Sequence, residues 1–213
     1  MARIAHFAAE LTSIEIGGDA IALWRVADLE QHVDREALLA GDDPPEPPYW
    51  AHLWTGALVL ATAVPANAGR VVELGCGLGL PGLVAAHRGA RVTFVDRLAA
   101  PLAFVRASAA ANRLAPVAFC VADFAAGALR GPVDLILAAE VLYDRATLGL
   151  LPDALRRCLR PGGRALVTDA RRTDTAAFYD ALDTSGLRWR ATEHAVREEG
   201  LPLTIRLVEV LRP

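Results

Sequence analysis

The chain of 213 residues contains no lysine, so all 22 of its lysine-or-arginine positions are arginine. That absence removes several chemistries at once. There is no P-loop lysine to hold nucleotide phosphates and no Tyr-x-x-x-Lys pair of the short-chain dehydrogenase kind. No Schiff base can form on a side-chain amine. A genome biased toward Arg and Ala codons would have the same effect, so no function is read from it. Cysteine is scarce: Cys76, Cys120 and Cys158 are far apart and odd in number, which suits reduced thiols. Their spacing matches no zinc pattern, and small buried hydrophobes are the plainer reading. The five histidines (His6, His32, His52, His87, His194) are scattered, without carboxylates at metal-ligand spacing. His52 could face a site, though a lone histidine there is more often structural. No apolar run reaches membrane-span length, and the opening MARIAHFAAE lacks the uninterrupted apolar core of a secretory signal. A cytoplasmic protein without a membrane partner is expected. The net charge of −3 argues against holding nucleic acid by charge alone. With 54% hydrophobic residues the chain is far from disorder.

What is present reads as strand and helix in alternation. Residues 11–26 predict a β-hairpin turning at Gly17-Gly18-Asp19. Asp28 to Ala40 predicts a helix with Leu29, Val33 and Leu38 on one stripe, and GDDPPEPP a stiff connector. Residues 1–47 are thus expected to be an N-terminal extension packed on a main domain, 48–213, either covering a substrate cleft or serving as scaffold. A helix is expected from His52 to about Pro65, with Trp50 and Trp54 on one face. Strands follow at 71–74, in a segment ending on Asp96, and at 117–121, 133–139 and 165–169, with helices at 98–112, 147–159 and 175–184. The helix at 147–159 ends in basic residues, Arg156, Arg157 and Arg160, before Pro161-Gly162-Gly163, which reads as a helix stop. Two closing strands, 187–197 and 203–211, are joined by Glu198-Glu199-Gly200 and predict an antiparallel pair. The expected fold class is α/β: a doubly wound, mostly parallel seven-stranded sheet, Rossmann-like, with its last strand antiparallel.

The stretch from Arg70 to Asp96, RVVELGCGLGLPGLVAAHRGARVTFVD, organises the rest. It reads as a strand, a turn rich in glycine (Gly75, Gly77, Gly79), a helix and a second strand ending on an acid. Asp96 at that strand tip can accept both hydroxyls of a ribose. Glu73 breaks an otherwise apolar strand and so needs a partner. The α-ammonium of a sulfonium amino acid would suit it, whereas a pyrophosphate would be repelled. A rival frame, Gly77-x-Gly79-x-x-Gly82, matches the dinucleotide fingerprint and keeps an NAD-binding reductase open. A tight turn without ligand is the bland alternative.

VVELGCGLGLPGLVAA resembles the first motif, E/D-x-G-x-G-x-G, of class I (seven-strand) S-adenosyl-L-methionine-dependent methyltransferases. Pro48-Tyr49-Trp50-Ala51-His52-Leu53-Trp54-Thr55-Gly56 resembles the lead-in of one branch, which holds protein lysine N-methyltransferases and relatives labelled nicotinamide N-methyltransferase-like. Ala122-Asp123-Phe124 and Ala139-Glu140-Val141-Leu142-Tyr143 resemble its third and fourth motifs. The likeness runs over residues 48 to 170. It implies S-adenosyl-L-methionine as cofactor, held by Trp54, Glu73, Gly75, Gly77, Gly79, Asp96, Asp123, Phe124 and Ala139. Trp54 would then lie beside the sulfonium, where cation–π attraction favours an aromatic, while Trp50 anchors structure. Asp123 could accept from the adenine amino group with Phe124 on its ring, or cap a following helix.

Methyl transfer needs no protein nucleophile, only an acceptor held in line and uncharged. Glu140 and Tyr143 are the expected catalytic pair, the acid drawing in a cationic amine and helping take its proton, the ring lining the methyl channel. The family's usual acid there is Asp, so this chain departs by one methylene. The alternative has Glu140 capping the next helix and Tyr143 in the core. The expected activity is N-methylation of lysine on a partner protein; a small amine or pyridine is the runner-up, and a non-catalytic binding module a third reading.

Overall fold

The computed structural model describes residues 2–32, 48–127, 129, 131–145 and 147–213. The prolines of the expected connector before Pro48 and most of the 28–40 helix lie outside them; Leu29–His32 forms a single 3-10 turn. The chain opens with a three-stranded antiparallel sheet: β1 (Ala2–Ile4), β2 (Phe7–Ile16) and β3 (Asp19–Val26). After a 3-10 turn at Tyr49–Ala51 come α1 (Thr55–Ala63), β4 (Arg70–Leu74), α2 (Leu80–His87), β5 (Arg91–Asp96), α3 (Ala99–Ala111) and β6 (Val117–Val121). Then follow β7 (Val133–Ala139), α4 (Leu151–Cys158), β8 (Leu159–Asp169), α5 (Ala176–Thr184), β9 (Arg188–Glu198) and β10 (Leu201–Leu211).

The second sheet has seven strands in the order β6-β5-β4-β7-β8-β10-β9. All its pairings are parallel except those of β10, which runs against both β8 and β9. The reversed last strand is therefore as the closing alternation predicted. Its inner strands are covered on both faces, which is why they read as unbroken apolar runs. On β7 the period of two is plain: Leu135 and Leu137 enter one core, Ile136 and Ala138 the other. Because the chain winds outward from β4 through β5 to β6, then returns to β7 on the other side, the sheet has its switch point between β4 and β7. Ligand crevices form there, at the strands' carboxyl ends.

The N-terminal sheet shares the first of these cores, contributing Phe7, Ile16, Ile21, Leu23 and Val26. Its β3 edge is closed by side chains of α3 and the residue after it. Asn112 accepts from Ala22 N–H (2.9 Å) and donates to Ala22 C=O (2.6 Å), while Ser108 Oγ accepts from Trp24 N–H (2.9 Å). A strand edge satisfied this way cannot pair with another chain.

Three expectations need correction. The helix foreseen from His52 starts only at Thr55, with Trp54 extended as its N-cap residue (φ −67°, ψ 142°), so Trp50 and Trp54 do not share a helical face. Trp50 instead packs on Phe7 and Phe104, with ring centroids 5.3 and 5.4 Å away. The helix expected from Thr147 starts at Leu151, after a turn in which Thr147 N–H and Oγ both donate to Asp144 C=O. Pro161-Gly162-Gly163 is no helix stop: α4 ends at Cys158, and this tripeptide lies within β8, tied to Arg212 through Gly162 N–H and Gly163 C=O.

Candidate active site

A cleft of about 840 Å³ opens over the carboxyl ends of the central strands. Its floor is the turn after β4. Gly75, Gly77 and Gly79 all have positive φ (57°, 50° and 73°). At Gly79 a Cβ would also lie 2.7 Å from Val105 Cγ2, so only glycine fits both the conformation and the space.

Asp96, at the tip of β5, reaches the same floor. Its Oδ2 accepts from Gly77 N–H (3.1 Å) and its Oδ1 from Leu98 N–H (3.0 Å). Burial raises its pKa, and those two N–H groups pull it back. Beyond β6, exposed Asp123 holds Ala125 N–H (2.8 Å) in a turn rather than capping a helix, and partly buried Phe124 follows it. Ala139, at the end of β7, is a small side chain on the wall.

Glu73 does not line this cleft. Its side chain points down into the core at 1% exposure, and Oε2 accepts from Gly82 N–H (2.9 Å) in the first turn of α2. The partner that an acid on a buried strand requires is thus a backbone amide nine residues on, not an ammonium ion. Burial pushes the carboxyl up to about 8; the Gly82 bond works against that shift and the nearby Asp96 charge adds to it. Gly82, the third glycine of the dinucleotide frame, is glycine because a Cβ would lie 2.4 Å from both this carboxylate and Phe94. An acid thus already takes one amide of that helix terminus, where a pyrophosphate would have to sit.

The opposite end of the cleft is built from residues distant in sequence. Glu140 has a left-handed backbone (φ 50°), and its side chain is 6% exposed. Its Oε1 accepts from Gly56 N–H (2.7 Å) and its Oε2 binds Arg172 Nε (2.8 Å). It therefore caps α1, upstream in the chain, rather than the helix that follows it, where a carboxylate also suits the helix dipole. Gly56 must be glycine because a Cβ would meet Glu140 Oε1 at 2.5 Å. Arg172 continues to Glu198 Oε1 (2.7 Å), which Thr55 Oγ also contacts (2.9 Å), and its guanidinium lies 4.8 Å over the Trp54 ring. The cation that Trp54 faces in this structure is Arg172. Arg172 holds the Glu198 carboxyl below its ordinary range. Tyr49 lies 6.4 Å from both Trp54 and Tyr143, ring to ring, so three aromatics stand around this mouth.

The structure thus brings Trp54, Gly75, Gly77, Gly79, Asp96, Asp123, Phe124, Ala139, Glu140 and Tyr143 to one cleft, and leaves Glu73 beneath it. Arg172, Glu198 and Tyr49 were not foreseen. Arg172 and Glu198 carry no local motif, since 26 residues separate them; Tyr49 stands between Pro48 and Trp50, where only its neighbours suggest a role. His52 does line the cleft, its pKa lowered by burial. Among the described residues no group of three or more His, Cys, Asp or Glu could hold a metal, and no helix is long and apolar enough to cross a membrane.

Residues 71–163 match the model of a methyltransferase domain family. The electron transfer flavoprotein beta subunit lysine methyltransferase of Xenopus laevis is 30% identical over 174 residues, which are 78% of this chain and 70% of that protein. Its namesake from Danio rerio is 34% identical over 74% of this chain and 63% of its own length. A Thermus thermophilus 16S rRNA N2 G1207 methyltransferase, solved with S-adenosylmethionine and guanosine, superposes with a TM-score of 0.63 at 14% identity, over 96% of this chain and 51% of that one. At that identity the superposition shows the fold alone. The relative from Xenopus supplies the rest: this chain belongs to the class I S-adenosylmethionine-dependent methyltransferases, in the family of the electron transfer flavoprotein beta subunit lysine methyltransferases.

Proposed function

We propose that this enzyme methylates the ε-amino group of a lysine on a partner protein. The reading is carried by the similarity, over 78% of the chain, to a protein named for lysine methylation. The cleft supports it, being polar and glycine-lined at one end and acidic and aromatic at the other.

The residues at the first end suit the cofactor. Asp96 has used two of a carboxylate's roughly four acceptor positions on Gly77 and Leu98, which leaves places for two ribose hydroxyls. Asp123 and Phe124 offer an acceptor and a ring for an adenine, and Gly75, Gly77, Gly79 and Ala139 keep side chains out of the way. Glu73 acts from below as a positioning residue, tying the start of α2 to β4 and so holding the glycine turn. Trp54 and Tyr143 wall the acceptor end. When bound, the cofactor supplies a methyl carbon activated by a sulfonium and open to displacement by an amine lone pair. The protein's own task is to align the amine and present it uncharged.

Asp96→Ala should weaken binding of S-adenosylhomocysteine by about 1–3 kcal/mol, the cost of a lost charge-assisted pair of hydrogen bonds. Titration calorimetry reads this directly. An unchanged dissociation constant would take Asp96 out of the site.

The acceptor class is tested by incubating the enzyme with host lysate and a methyl-labelled cofactor, then hydrolysing the protein fraction. Label should appear in methylated lysine. Because this chain has no lysine, that label cannot come from the enzyme itself. Label confined to RNA or to small molecules would sink the proposal.

A further inference from the structure

The two acids at the acceptor end pose a chemical difficulty. A carboxylate near an amine stabilises the ammonium, and an ammonium has no lone pair with which to take a methyl group. Glu140 cannot relieve this as a free base, for its oxygens already serve Gly56 N–H and the Arg172 guanidinium.

Arg172 is held in place with some care. It sits at the tip of the loop after β8, between two anchors. Asp169, 2% exposed, accepts from Arg171 N–H (2.7 Å), Thr175 Oγ (2.9 Å) and the Tyr179 hydroxyl (2.8 Å). On the other side of Arg172, Thr173 Oγ donates to Leu142 C=O (3.1 Å). From that tip one guanidinium reaches both Glu140 and Glu198 and still faces the cleft, with its side chain 35% exposed.

We propose that Arg172 keeps the acceptor amine in its uncharged, nucleophilic form, by occupying the two carboxylates that would otherwise hold it as an ammonium and by placing a permanent positive charge beside it. A guanidinium stays charged throughout the working pH range, and a neighbouring cation favours the neutral amine. The amine's proton goes to water through the open mouth of the cleft. The inference rests on the reading of an amine acceptor given above.

The other charged and titratable groups facing this end come from every wall. Glu198 and Glu199 at the β9–β10 turn, Arg25 from β3 and Arg172 itself all act on His52, ahead of α1. Tyr49, Tyr143 and Asp144 line the same mouth. Acids predominate, so removing the one cation that bridges two of them shifts the balance sharply toward an ammonium.

The test is the pH dependence of kcat for methyl-lysine formation, with lysate protein as acceptor at saturating concentration, because kcat reports the bound amine. For Arg172→Gln the acid limb should move up by about one pH unit or more, giving roughly tenfold slower turnover near neutrality that recovers in alkali. Calorimetry with S-adenosylhomocysteine shows whether the variant retains its fold. Glu198→Gln removes an acid from the same place and should move the limb the other way. A defect equal at every pH, or no defect, overturns the inference. If Arg172→Gln does not fold, Glu198→Gln decides alone, and an unmoved or raised limb overturns it. Failure of the wild-type enzyme to make any methyl-lysine would instead remove the amine reading before a variant is compared.

Discussion

A Glu73→Gln variant should lose most of the decline in stability that the wild-type protein shows between pH 4.5 and about 8. Burial raises the folded-state value above the unfolded one, so in that window the native protein binds a proton at Glu73 that the unfolded chain has released. Its contribution is fully present below the unfolded value and is lost as pH rises through the folded one, at roughly 1.4 kcal/mol per unit. Across the window this amounts to about 5 kcal/mol at most, a large share of a typical domain's stability. Gln keeps an oxygen to accept from Gly82 N–H but has no charge to bury. Asp96, raised in the same direction by burial, contributes in both proteins. Urea unfolding of wild type and variant from pH 5 to 9 measures the difference, which should grow with pH in favour of the variant. Parallel curves would mean that the Glu73 carboxyl titrates normally in the folded state.

Gly82→Ala should be costly at any pH. The added Cβ would stand 2.4 Å from Glu73 Oε2 and 2.4 Å from Phe94 Cε1. Neither neighbour can yield easily. Glu73 is 1% exposed and hydrogen-bonded to this very residue, and Phe94 is fully buried and stacked on Phe119 with centroids 5.8 Å apart. Over-packing of this kind costs about 1–3 kcal/mol, and more where nothing can move; the upper end is expected here. Because the displaced groups lie beneath the glycine turn, S-adenosylhomocysteine affinity should fall with stability. Urea unfolding and calorimetry on one preparation check both. A variant as stable as wild type, binding as well, would show that α2 is not packed against β4 as described.

Much of this architecture could be read from residues in order. The strand ending at Leu74, the positive-φ glycines after it, the acid at Asp96 and the antiparallel closing pair are patterns of period two and of glycine spacing, and the structure has them where they were expected. Gly75, Asp96, Asp123 and Ala139 gather in one cleft because the carboxyl ends of adjacent parallel strands must lie side by side. Expectations failed where a residue's role depended on what stood opposite it. Trp54 was placed inside a helix because its spacing from Trp50 suits one, yet the acid that caps that helix arrives from 84 residues downstream. The partner of Glu140 likewise lies out of local view, for Arg172 reaches it from 32 residues downstream.

The order of strands and helices along the chain, the glycine turn and the acid at the tip of β5 were determined by the sequence alone, since each depends on backbone conformations that neighbouring residues set. Tertiary structure decided which partner every buried or half-buried charge received: Gly82 for Glu73, Gly56 and Arg172 for Glu140, Arg172 again for Glu198. A charge removed from water must find a partner within hydrogen-bond reach. Strand order, which no local pattern records, sets what lies within that reach.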